Sequence, residues 1–483
     1  MKMNNLLENV PAIHVPEYLN MEISGICYDS RKISPGDVFV AIRGFETDGH
    51  KYIEAAVKAG AACVVCERSP DIRAPYALVE DSRAALALMS AVWFGYPARK
   101  LKIVGVTGTN GKTTVTSLLK CVIEQCTKAK VGLIGTSGNM IGEQHIPAIH
   151  TTPESFEMQK LLAMMVDAGC TYAIMEVSSH ALVLDRVRGI EFEVGVYTNL
   201  SQDHLDFHGT MEAYAEAKSK LFALSKHSVI NIDDAYASVM LEKAAGSVFS
   251  YAIDNDSADL VGKNVKQLSD RIYFCALMIG SLVRFELPIP GLFSVYNALA
   301  VVSSAFLLGL DIKQISEALP MCEGVKGRAE VVSAPADFTI IIDYAHTPDA
   351  LEKIISAVRD GAQGKVITLF GCGGDRDSTK RPLMGEMAAK HSDFVVVTSD
   401  NPRTEAPGAI ISDIIKGVQQ TKTPYEVIEN RKEAIFWTLE SAKPGDVVIL
   451  AGKGHEDYQI IGKDKIRFDE REVVAEYFEK YKT

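Results

Sequence analysis

Residues 105 to 114 read GVTGTNGKTT, and this glycine-containing stretch restricts the possible folds more than any other segment of the chain. The residues just before it, LKIVGV, are rich in apolar and β-branched side chains, as in a buried parallel strand. The residues after it have the apolar spacing of a helix. A strand, a glycine loop and a helix in this order can hold a phosphate at the helix N-terminus. The sequence therefore predicts an α/β fold built around a phosphate-binding loop.

Each position of this loop has an expected role. Gly108 and Gly111 let backbone N–H groups turn toward a phosphate, Lys112 reaches the outer phosphates, and the Thr113 hydroxyl binds Mg²⁺. The spacing departs from the strict pattern, because Val106 stands where that pattern has glycine. A glycine-rich turn that opens an ordinary helix is the structural alternative.

The length and charge of the chain restrict the function classes. A chain of 483 residues exceeds one ordinary core, and its length favours three domains. A net charge of −12 argues against a nucleic-acid-binding surface. No run approaches the roughly 18 apolar residues of a membrane span, and the N-terminus lacks the pattern of a secretion signal. We therefore expect a cytoplasmic protein with no nucleic-acid partner and no membrane insertion.

Three successive alternations of strand-like and helical segments predict three α/β domains, at residues 1–98, 99–328 and 329–483. The first is a small α/β domain, and the second has a central phosphate-loop parallel sheet with helices on both faces. The third is a Rossmann-like α/β domain with polar, glycine-rich loops after its strands. Ligands of open α/β sheets bind at such strand ends, so these loops are candidate sites.

One lysine has an unusual predicted position. In the segment MEAYAEAKSKLF, taken as a helix, Lys218 falls in the middle of an apolar face and Lys220 points the other way. A lysine placed like Lys218 either extends its stem to reach water or loses its charge through desolvation. A neutral amine can add CO₂ and become an anionic carbamate that binds a metal. The helical pattern leaves both outcomes open.

Polar groups also follow two predicted strands. The segment YTNLSQDHLDFHGT contains Asp203, His204, Asp206 and His208, which could serve a divalent ion or form a polar loop with capping aspartates. Glu176 ends another predicted strand, where its carboxylate would face either the phosphate loop or solvent. Mg²⁺ takes few protein ligands, so one carboxylate and the loop threonine hydroxyl would suffice for a first ion.

A series of motifs resembles the Mur ligase family of peptidoglycan synthesis. In chain order they are GTNGKTT, HTTPES, MEVSSHAL, NLSQDHLDFHGTMEAYAEAKSKLF, NALA, GRAE, DYAHTPDAL, FGCGGDRDSTKRPLM, SDNPRTE and GKGHEDYQ. The resemblance covers essentially the whole chain and includes YDSRKISPGDVFVAIRG near the start. The family loop GTNGKTT also accounts for the altered glycine spacing. Within the family, the pattern is similar to the branch that adds meso-diaminopimelate as the third residue.

The resemblance implies an ATP-dependent, ADP-forming amide ligase that acts as a monomer. By that resemblance, the D-glutamyl side-chain carboxylate of UDP-N-acetylmuramoyl-L-alanyl-D-glutamate attacks the γ-phosphorus of ATP, and the amine of diaminopimelate then displaces phosphate from the acyl phosphate. Mg²⁺ and Lys112 would offset charge on the transferred group. Alternatives are a lysine-adding form, a folylpolyglutamate synthetase, which should lack the N-terminal domain, and, from another class, a nucleotide switch.

The resemblance also assigns residues by motif. The catalytic set is Lys112, Glu176, His204 and Lys218, and the metal set is Thr113, Glu176, His204 and Lys218, with Lys218 carbamylated. The ATP set is Gly108, Thr109, Asn110, Gly111, Lys112, Thr113, Thr114, Asn297, Arg328, Asp343 and His346. The UDP-substrate set is Ser30, Thr151, Thr152, Ser178 and Arg186. The diaminopimelate set is Arg376, Asp400, Asn401, Pro402, Arg403, Gly452 and Glu456.

Arg403 is expected to select the amino acid. The strand segment DFVVVTS ends before it, Pro402 sets the turn, and neighbouring loops bring Arg376 and Glu456 to the same sheet edge. A guanidinium binds a carboxylate through two parallel hydrogen bonds, and diaminopimelate has a distal carboxylate that lysine lacks. An ordinary surface arginine is the alternative.

Overall fold

The computed structural model describes residues 1–17, 19–44, 47–278 and 280–481. Its contacts divide the chain into two compact units. The first unit contains Met1–Ser250 with Leu307–Gly309, and the second contains Tyr251–Phe306 with Leu310–Thr483. Within the described residues, no helix is both long and apolar enough to span a bilayer.

The strands alternate with helices along most of the chain. In chain order, the strands are β1 (Ala12–His14), β2 (Gly25–Cys27), β3 (Asp37–Val40), β4 (Cys63–Cys66), β5 (Tyr76–Val79), β6 (Lys102–Thr107), β7 (Val131–Gly135), β8 (Gly138–Ile141), β9 (Gln144–Ile146), β10 (Tyr172–Glu176), β11 (Phe192–Tyr197), β12 (Ser225–Asn231), β13 (Ser247–Ala252), β14 (Leu260–Gln267), β15 (Ile272–Met278), β16 (Ser281–Leu287), β17 (Glu330–Val331), β18 (Thr339–Asp343), β19 (Val366–Phe370), β20 (Phe394–Val397), β21 (Tyr425–Val427), β22 (Val447–Ala451), β23 (Tyr458–Ile461) and β24 (Asp464–Arg467).

The α-helices, again in chain order, are α1 (Met3–Leu6), α2 (Ile53–Lys58), α3 (Ser82–Trp93), α4 (Lys112–Thr127), α5 (Ser155–Asp167), α6 (Ser179–Val183), α7 (Leu205–His208), α8 (Met211–Ala223), α9 (Ala237–Lys243), α10 (Leu292–Leu307), α11 (Ile312–Ala318), α12 (Pro348–Arg359), α13 (Lys380–His391), α14 (Pro407–Val418), α15 (Arg431–Ser441) and α16 (Glu470–Tyr481). Short 3₁₀ turns occupy Ser30–Lys32, Gly49–Tyr52, Pro97–Lys100 and Leu319–Met321.

The N-terminal part of the first unit is a five-stranded sheet in the order β1-β5-β4-β3-β2. Its strands are parallel except β1, which runs antiparallel to β5. All four residues of β4 are buried, so Cys63 and Cys66 are strand residues inside a core. This part has the small α/β architecture that the sequence predicts.

The second sheet of the first unit positions the phosphate loop. It includes strands in the order β12-β11-β6-β10-β7-β8-β9, and β6 lies between β11 and β10, parallel to both. The loop after β6 therefore has the ends of two other parallel strands beside it. Neither neighbour adjoins β6 in sequence, so segments far apart in the chain meet at this edge.

The central region also contains antiparallel strands that the expected parallel sheet does not include. In the second unit β14, β15 and β16 form an antiparallel meander, and in the first unit β8 and β9 continue antiparallel from β7. Connections of a few residues join these strands, and such short connections cannot make the crossover that parallel pairing requires.

The C-terminal part of the second unit is a six-stranded sheet in the order β17-β18-β22-β19-β20-β21. All its strands are parallel except β17, which pairs antiparallel with β18. Strands β18, β22, β19 and β20 are consecutive neighbours in this sheet. Their carboxyl ends lie along one edge, where the predicted site loops begin. A separate β23–β24 hairpin follows.

Candidate active site

The phosphate loop connects the buried strand β6 to the N-terminus of α4. Gly108 has a φ of +147°, and a Cβ there would come within 1.9 Å of the Thr198 hydroxyl oxygen, so only glycine fits. The end of β11 holds the loop in place: Thr109 N–H donates to the Asn199 carbonyl at 2.8 Å, and Asn110 N–H to the Asn199 side chain at 3.0 Å. The α4 N-cap, Gly111, has no side-chain capping bond, so the N-terminus keeps its capacity for an anion.

Two lysines converge on one loop carbonyl. Lys112 Nζ donates to the carbonyl oxygens of Gly108 and Thr109, both at 2.9 Å. Lys218 Nζ donates to the same Gly108 oxygen at 2.8 Å. Lys218 comes from the middle of α8, a segment 110 residues away in sequence. The phosphate loop therefore has two amino groups beside it.

The burial of Lys218 decides between the two outcomes that the sequence leaves open. Only 1% of the residue is exposed, so its stem does not reach water. Burial lowers the pKa of the Lys218 ammonium well below its usual value, the charge of Lys112 lowers it further, and Asp203 opposes the shift. On the same helix Lys220 is exposed. The geometry favours a neutral amine at Lys218.

The Glu176 carboxylate faces the phosphate loop rather than solvent. It is 1% exposed at the end of β10. One of its oxygens accepts from the Thr113 hydroxyl at 3.0 Å and from Thr136 N–H at 2.8 Å, and the other accepts from the Thr136 hydroxyl at 3.1 Å. The interpretation of Glu176 as a solvated strand-end charge is therefore wrong. Thr136 has no sequence signal, because it reaches the site only through the β7–β10 pairing.

A histidine cluster lies next to Lys218. The ring centroid of His180 is 4.9 Å from that of His204 and 5.6 Å from that of His208. His208 is hydrogen-bonded to the Ser179 hydroxyl at 2.9 Å, and burial together with the charges of neighbouring groups lowers its pKa to about 4. The sequence indicates His204 and His208 as candidate ligands but gives no signal for His180, which belongs to α6 and joins them only in the folded chain.

The donors at this edge suit a cation that takes few protein ligands. Among the residues that the structure describes, no three His, Cys, Asp or Glu side chains form a group that could hold a metal alone. Thr113 and Glu176 place a hydroxyl and a carboxylate oxygen 3.0 Å apart beside the phosphate loop. Mg²⁺ commonly binds through one or two carboxylates plus phosphate oxygens and water, so this set fits Mg²⁺ better than a closed metal cage.

Four of the five predicted UDP-substrate residues gather behind Glu176. The Thr152 hydroxyl donates to the Glu176 backbone oxygen at 2.8 Å and accepts from Ser178 N–H at 3.1 Å. Arg186 donates to the Thr152 carbonyl at 3.0 Å, and Thr151 pairs with the Thr136 hydroxyl at 3.0 Å.

Two further residues complete the description of this set. Glu154, which sequence reasoning missed, lies 2.6 Å from Arg186 Nη2 and 3.5 Å from Arg83. Ser30 begins a 3₁₀ turn in the N-terminal part of the chain. It is not one of the residues in the hydrogen bonds that connect Thr152, Ser178 and Arg186.

The predicted ATP residues of the second unit lie in α10, at the end of β18 and on the segments just before β17 and just after β18. Asn297 is buried in α10. Asp343 ends β18, accepts N–H bonds from Ala329 at 2.6 Å and Ala345 at 2.8 Å, and has a pKa raised by burial. Arg328 lies over the Tyr344 ring at 5.2 Å, and the His346 side chain is hydrogen-bonded to the Tyr344 carbonyl oxygen at 2.8 Å.

The predicted diaminopimelate residues lie on loops of the same unit. Arg403 has a left-handed backbone with φ +52°. Its N–H donates to the Ile460 carbonyl at 3.1 Å, and its own carbonyl accepts from Gly462 N–H at 2.7 Å, so the β23 strand holds this turn. Arg403 Nη1 donates to the Gly374 carbonyl at 2.7 Å. Arg376 is exposed on the adjacent loop.

A buried polar group lies next to these loops. Asp400 and Asn401 are buried at the end of the β20 segment, followed by Pro402. Asn401 Nδ2 donates to Glu456 at 2.9 Å. Lys453, between the predicted residues Gly452 and Glu456, is fully buried among them. The sequence motifs predict a role for Gly452 and for Glu456, on both sides of this lysine, but none for the lysine itself.

These features define a class of protein. The site has a glycine loop between a buried parallel strand and a helix, and a lysine at the start of that helix. A carboxylate lies at the end of the neighbouring strand in the sheet. This arrangement is typical of a phosphate-loop nucleotide-binding protein. Three family models match the chain: "Mur ligase family, catalytic domain" at residues 22–92, "Mur ligase middle domain" at 106–305, and "Mur ligase, glutamate ligase domain" at 327–454. The chain belongs to the Mur ligase family.

Curated relatives are similar over nearly their whole length. A UDP-N-acetylmuramoyl-L-alanyl-D-glutamate--2,6-diaminopimelate ligase of Caldanaerobacter subterraneus subsp. tengcongensis is 51% identical over 462 residues, which cover 95% of each chain. A ligase of the same name from Clostridium botulinum is 45% identical over 483 residues, which cover 99% of each chain.

Solved structures have the same fold. A structure of a UDP-N-acetylmuramoyl-L-alanyl-D-glutamate--2,6-diaminopimelate ligase matches with a TM-score of 0.79 at 33% identity, over 100% of this chain and 99% of that one. A Mycobacterium tuberculosis folylpolyglutamate synthase, complexed with ADP and AMPPCP, matches with a TM-score of 0.60 at 18% identity, over 77% of this chain and 92% of that one. The second likeness shows a shared fold only.

Proposed function

We propose that this chain is an ATP-dependent ligase that adds meso-diaminopimelate to the D-glutamyl side-chain carboxylate of UDP-N-acetylmuramoyl-L-alanyl-D-glutamate. The observation that carries the proposal is the full-length identity, 51% and 45%, to relatives that bear the name of this ligase. The reaction belongs to peptidoglycan precursor synthesis. Its nucleotide-linked substrate and ATP support a cytoplasmic site of action, and action as a monomer stays a prediction.

The phosphate loop is the proposed binding site for the β- and γ-phosphates of ATP. The backbone N–H groups at the start of α4 would donate to phosphate oxygens. Lys112 now donates to two loop carbonyl oxygens and would donate to phosphate oxygens instead when ATP is bound. Thr114 follows in the first turn of the helix. We propose that the rest of the nucleotide contacts Asn297, Arg328, Asp343 and His346.

Mg²⁺ would offset charge on the transferred phosphoryl group. We assign a first ion to Thr113 and Glu176, whose oxygens already lie 3.0 Å apart. For a second ion we assign Glu176, His204 and a carbamate on Lys218. The lowered pKa of Lys218 supports the carbamate, because only the neutral amine adds CO₂; the N–C bond forms and one proton leaves.

The reaction itself is a two-step exchange. A carboxylate oxygen bonds to the γ-phosphorus while the bond from that phosphorus to the ADP oxygen breaks, which gives an acyl phosphate. A neutral amine then bonds to the acyl carbon, phosphate leaves with the electron pair of the broken C–O bond, and the nitrogen loses one proton, which gives the amide. We propose that the peptide end of the UDP substrate binds to Thr151, Thr152, Ser178 and Arg186. The uridine end would bind at Ser30.

The amino-acid end is assigned to the loops after β19, β20 and β22. We assign the distal carboxylate of diaminopimelate to Arg403 and Arg376, and an ammonium to Glu456. The backbone of these loops includes the other predicted residues of this set, Asp400, Asn401, Pro402 and Gly452. Lysine has no distal carboxylate, so binding lysine would leave a desolvated guanidinium without its partner, which disfavours lysine strongly.

The test is phosphate release with purified protein, ATP, Mg²⁺ and the UDP-linked dipeptide, with diaminopimelate or lysine as the amine. We expect release only when the dipeptide and diaminopimelate are both present, with lysine used hardly at all. Equal use of both amino acids would point to the lysine-adding alternative. Slow release without any amine would favour a nucleotide switch, and activity only with a folate-linked glutamate would favour the folylpolyglutamate alternative.

Arg403→Ala is the matching variant. We expect it to raise the KM for diaminopimelate by about 10- to 100-fold, the scale of one lost hydrogen bond to a charged group, and to leave the KM for ATP nearly unchanged. Arg467→Ala, which removes an exposed arginine of β24, is the control. A normal KM for diaminopimelate in Arg403→Ala would remove the carboxylate assignment.

A further inference from the structure

Lys453 is a completely buried cationic group at the predicted amino-acid end of the site. The residue follows β22 and is 0% exposed. Its Nζ donates to Glu456 Oε2 at 3.0 Å and to Asn401 Oδ1 at 3.2 Å, and lies 3.7 Å from Asp400 Oδ1. Transferring an ammonium out of water is strongly unfavourable unless charged and polar partners surround it. Lys453 has such partners on two separate loops.

The acceptors come from two strand ends that the sheet order brings close together. Asp400 and Asn401 follow β20, whereas Lys453 and Glu456 follow β22, some 50 residues later. Gly452 allows the close approach: its φ is +110°, and a Cβ there would lie 2.7 Å from Asp400 Oδ2. Lys453 therefore connects two loops that both belong to the assigned diaminopimelate site.

The lysine also determines which way the Asn401 amide points. Asn401 Oδ1 accepts from Lys453 and from Ile460 N–H at 2.9 Å. Because Oδ1 accepts from these two donors, Nδ2 of the amide faces Glu456 and donates to its Oε2 at 2.9 Å. Without the ammonium, the amide would lose one of the two interactions that hold this orientation.

The consequence for Glu456 is an asymmetric carboxylate. Oε2 accepts from both Lys453 and Asn401, whereas Oε1 accepts from the Tyr458 hydroxyl at 3.4 Å, near the upper limit for a hydrogen bond. A carboxylate oxygen has two lone pairs. The protein donors thus engage Oε2 strongly and leave acceptor capacity on Oε1.

We propose that Lys453 is a positioning residue for amino-acid selection, one that orients Glu456 so that Oε1 receives the ammonium of the incoming amino acid. Lys453 also offsets one of the two negative charges of Asp400 and Glu456. A site with both charges uncompensated would still attract an ammonium but would repel the distal carboxylate of diaminopimelate. The inference rests on the proposed function, since it concerns how that ligase distinguishes diaminopimelate from lysine.

The first test is Lys453→Met, which keeps most of the stem and removes the charge. We expect the KM for diaminopimelate to rise about 10- to 100-fold, as for loss of a hydrogen bond to a charged group, with the KM values for ATP and the UDP-linked dipeptide within about twofold of the parent. The ratio of kcat/KM for diaminopimelate over lysine should fall. Lys463→Met is the control, because Lys463 is exposed in the turn of the β23–β24 hairpin.

A double-mutant cycle with Glu456→Gln separates positioning from a general structural role. If Lys453 acts through Glu456, then Lys453→Met should change the diaminopimelate KM by less than about threefold in the Glu456→Gln background, which is strong non-additivity. Additive effects, or a Lys453→Met enzyme with a normal KM and normal selectivity, would overturn the inference.

The double variant also protects the test against misfolding. Lys453→Met leaves both Glu456 and Asp400 without their cation, whereas Lys453→Met with Glu456→Gln leaves only Asp400 without one, so the double variant buries less uncompensated charge. If the single variant does not fold, equal diaminopimelate KM values for the double variant and Glu456→Gln support the inference, and unequal values overturn it. Failure of the parent enzyme to release phosphate with diaminopimelate would instead contradict the proposed function.

Discussion

Residues of the same type behave differently in this protein because their access to water differs. Lys218 and Lys220 are two positions apart on α8, but one is buried against the phosphate loop and the other is exposed. Burial lowers the pKa of Lys218 well below its usual value, and a desolvated amine beside a phosphate site is able to react with CO₂. The chemistry proposed at this position therefore depends on burial rather than on residue type.

Lys218→Ala should abolish most of the phosphate release that depends on diaminopimelate, because the variant cannot supply an anionic oxygen ligand. A short carboxylic acid added to the assay should restore part of it by occupying the place of the carbamate. Lys220→Ala, on the exposed face of the same helix, should keep normal activity. Carbon-13 NMR of the active enzyme with labelled CO₂ checks the modification directly, and an unmodified lysine there would contradict it.

His455 is expected to titrate below the ordinary histidine value of about 6.5. Burial lowers the pKa of His455, the charge of Arg328 lowers it further, Arg471 and Lys326 act in the same direction, and Glu456 opposes them. At pH values between the pKa of His455 in the folded protein and its pKa in the unfolded chain, the folded protein binds fewer protons than the unfolded chain. Stability contributed by His455 is therefore present at neutral pH and falls as the pH drops through this window.

The measurement is an NMR titration of the His455 ring, with urea unfolding at pH 7.5 and 5.5 for the parent and for His455→Gln. The stability difference between the parent and the variant should shrink at the lower pH. A difference that grows on acidification would show that His455 gains a proton on folding, contrary to the expected direction.

At the scale of elements, one buried ion pair joins the ends of two strands to two helices. Arg431 begins α15 and Glu470 begins α16, and both side chains are 0% exposed, 2.8 Å apart. The guanidinium also donates to the carbonyl of Ser399 at 3.3 Å and to that of Ala451 at 2.8 Å. These carbonyls lie just before the loops that carry Asn401 and Lys453, so the pair holds the base of both loops.

Arg431→Met should destabilise the protein by about 3–5 kcal/mol, because it leaves Glu470 buried without its cation. Arg431→Met combined with Glu470→Met should be less destabilised than the single variant, since neither charge is then left alone. Lys432→Met, at a half-exposed neighbouring pair with Glu476, should change stability by less than about 1 kcal/mol. Chemical denaturation of the three variants checks the order, and equal effects for Arg431 and Lys432 would refute it.

At the scale of the whole molecule, nucleotide binding should be linked to the stability of the chain. A ligand that binds only the folded state stabilises it by about 2.7 kcal/mol at a hundredfold excess over its Kd. The phosphate loop is ordered by hydrogen bonds to the end of a strand from a different part of the chain. A non-hydrolysable ATP analogue with Mg²⁺ should therefore raise the midpoint of thermal unfolding.

Lys112→Ala should lose most of this nucleotide-dependent shift and lower turnover by at least about 10²-fold, the scale for one preorganised group at a transition state. Lys102→Ala, at the exposed opposite end of β6, is the matched control. Chelation of Mg²⁺ with EDTA should stop phosphate release in the parent, and added Mg²⁺ should restore it. Near-normal turnover of a folded Lys112→Ala enzyme would refute the assignment of the loop.

The local features of this protein can be predicted from its sequence. Periodicity within a dozen residues predicts the order of strand, glycine loop and helix, and also the apolar face of α8 that contains Lys218. The chain of family motifs also identified the ligase fold and reaction, since each motif is a continuous segment. The domain boundaries at residues 98 and 328 stay predictions.

Only the folded chain shows which of these groups meet and which are dehydrated. Glu176 faces Thr113 because β10 pairs with β6, and Lys453 meets Asn401 because the sheet brings the loops after β20 and β22 together. His180 joins the other histidines for the same kind of reason. Such contacts depend on strand order and on desolvation, which are properties of segments far apart in the chain, so no local pattern of residues records them.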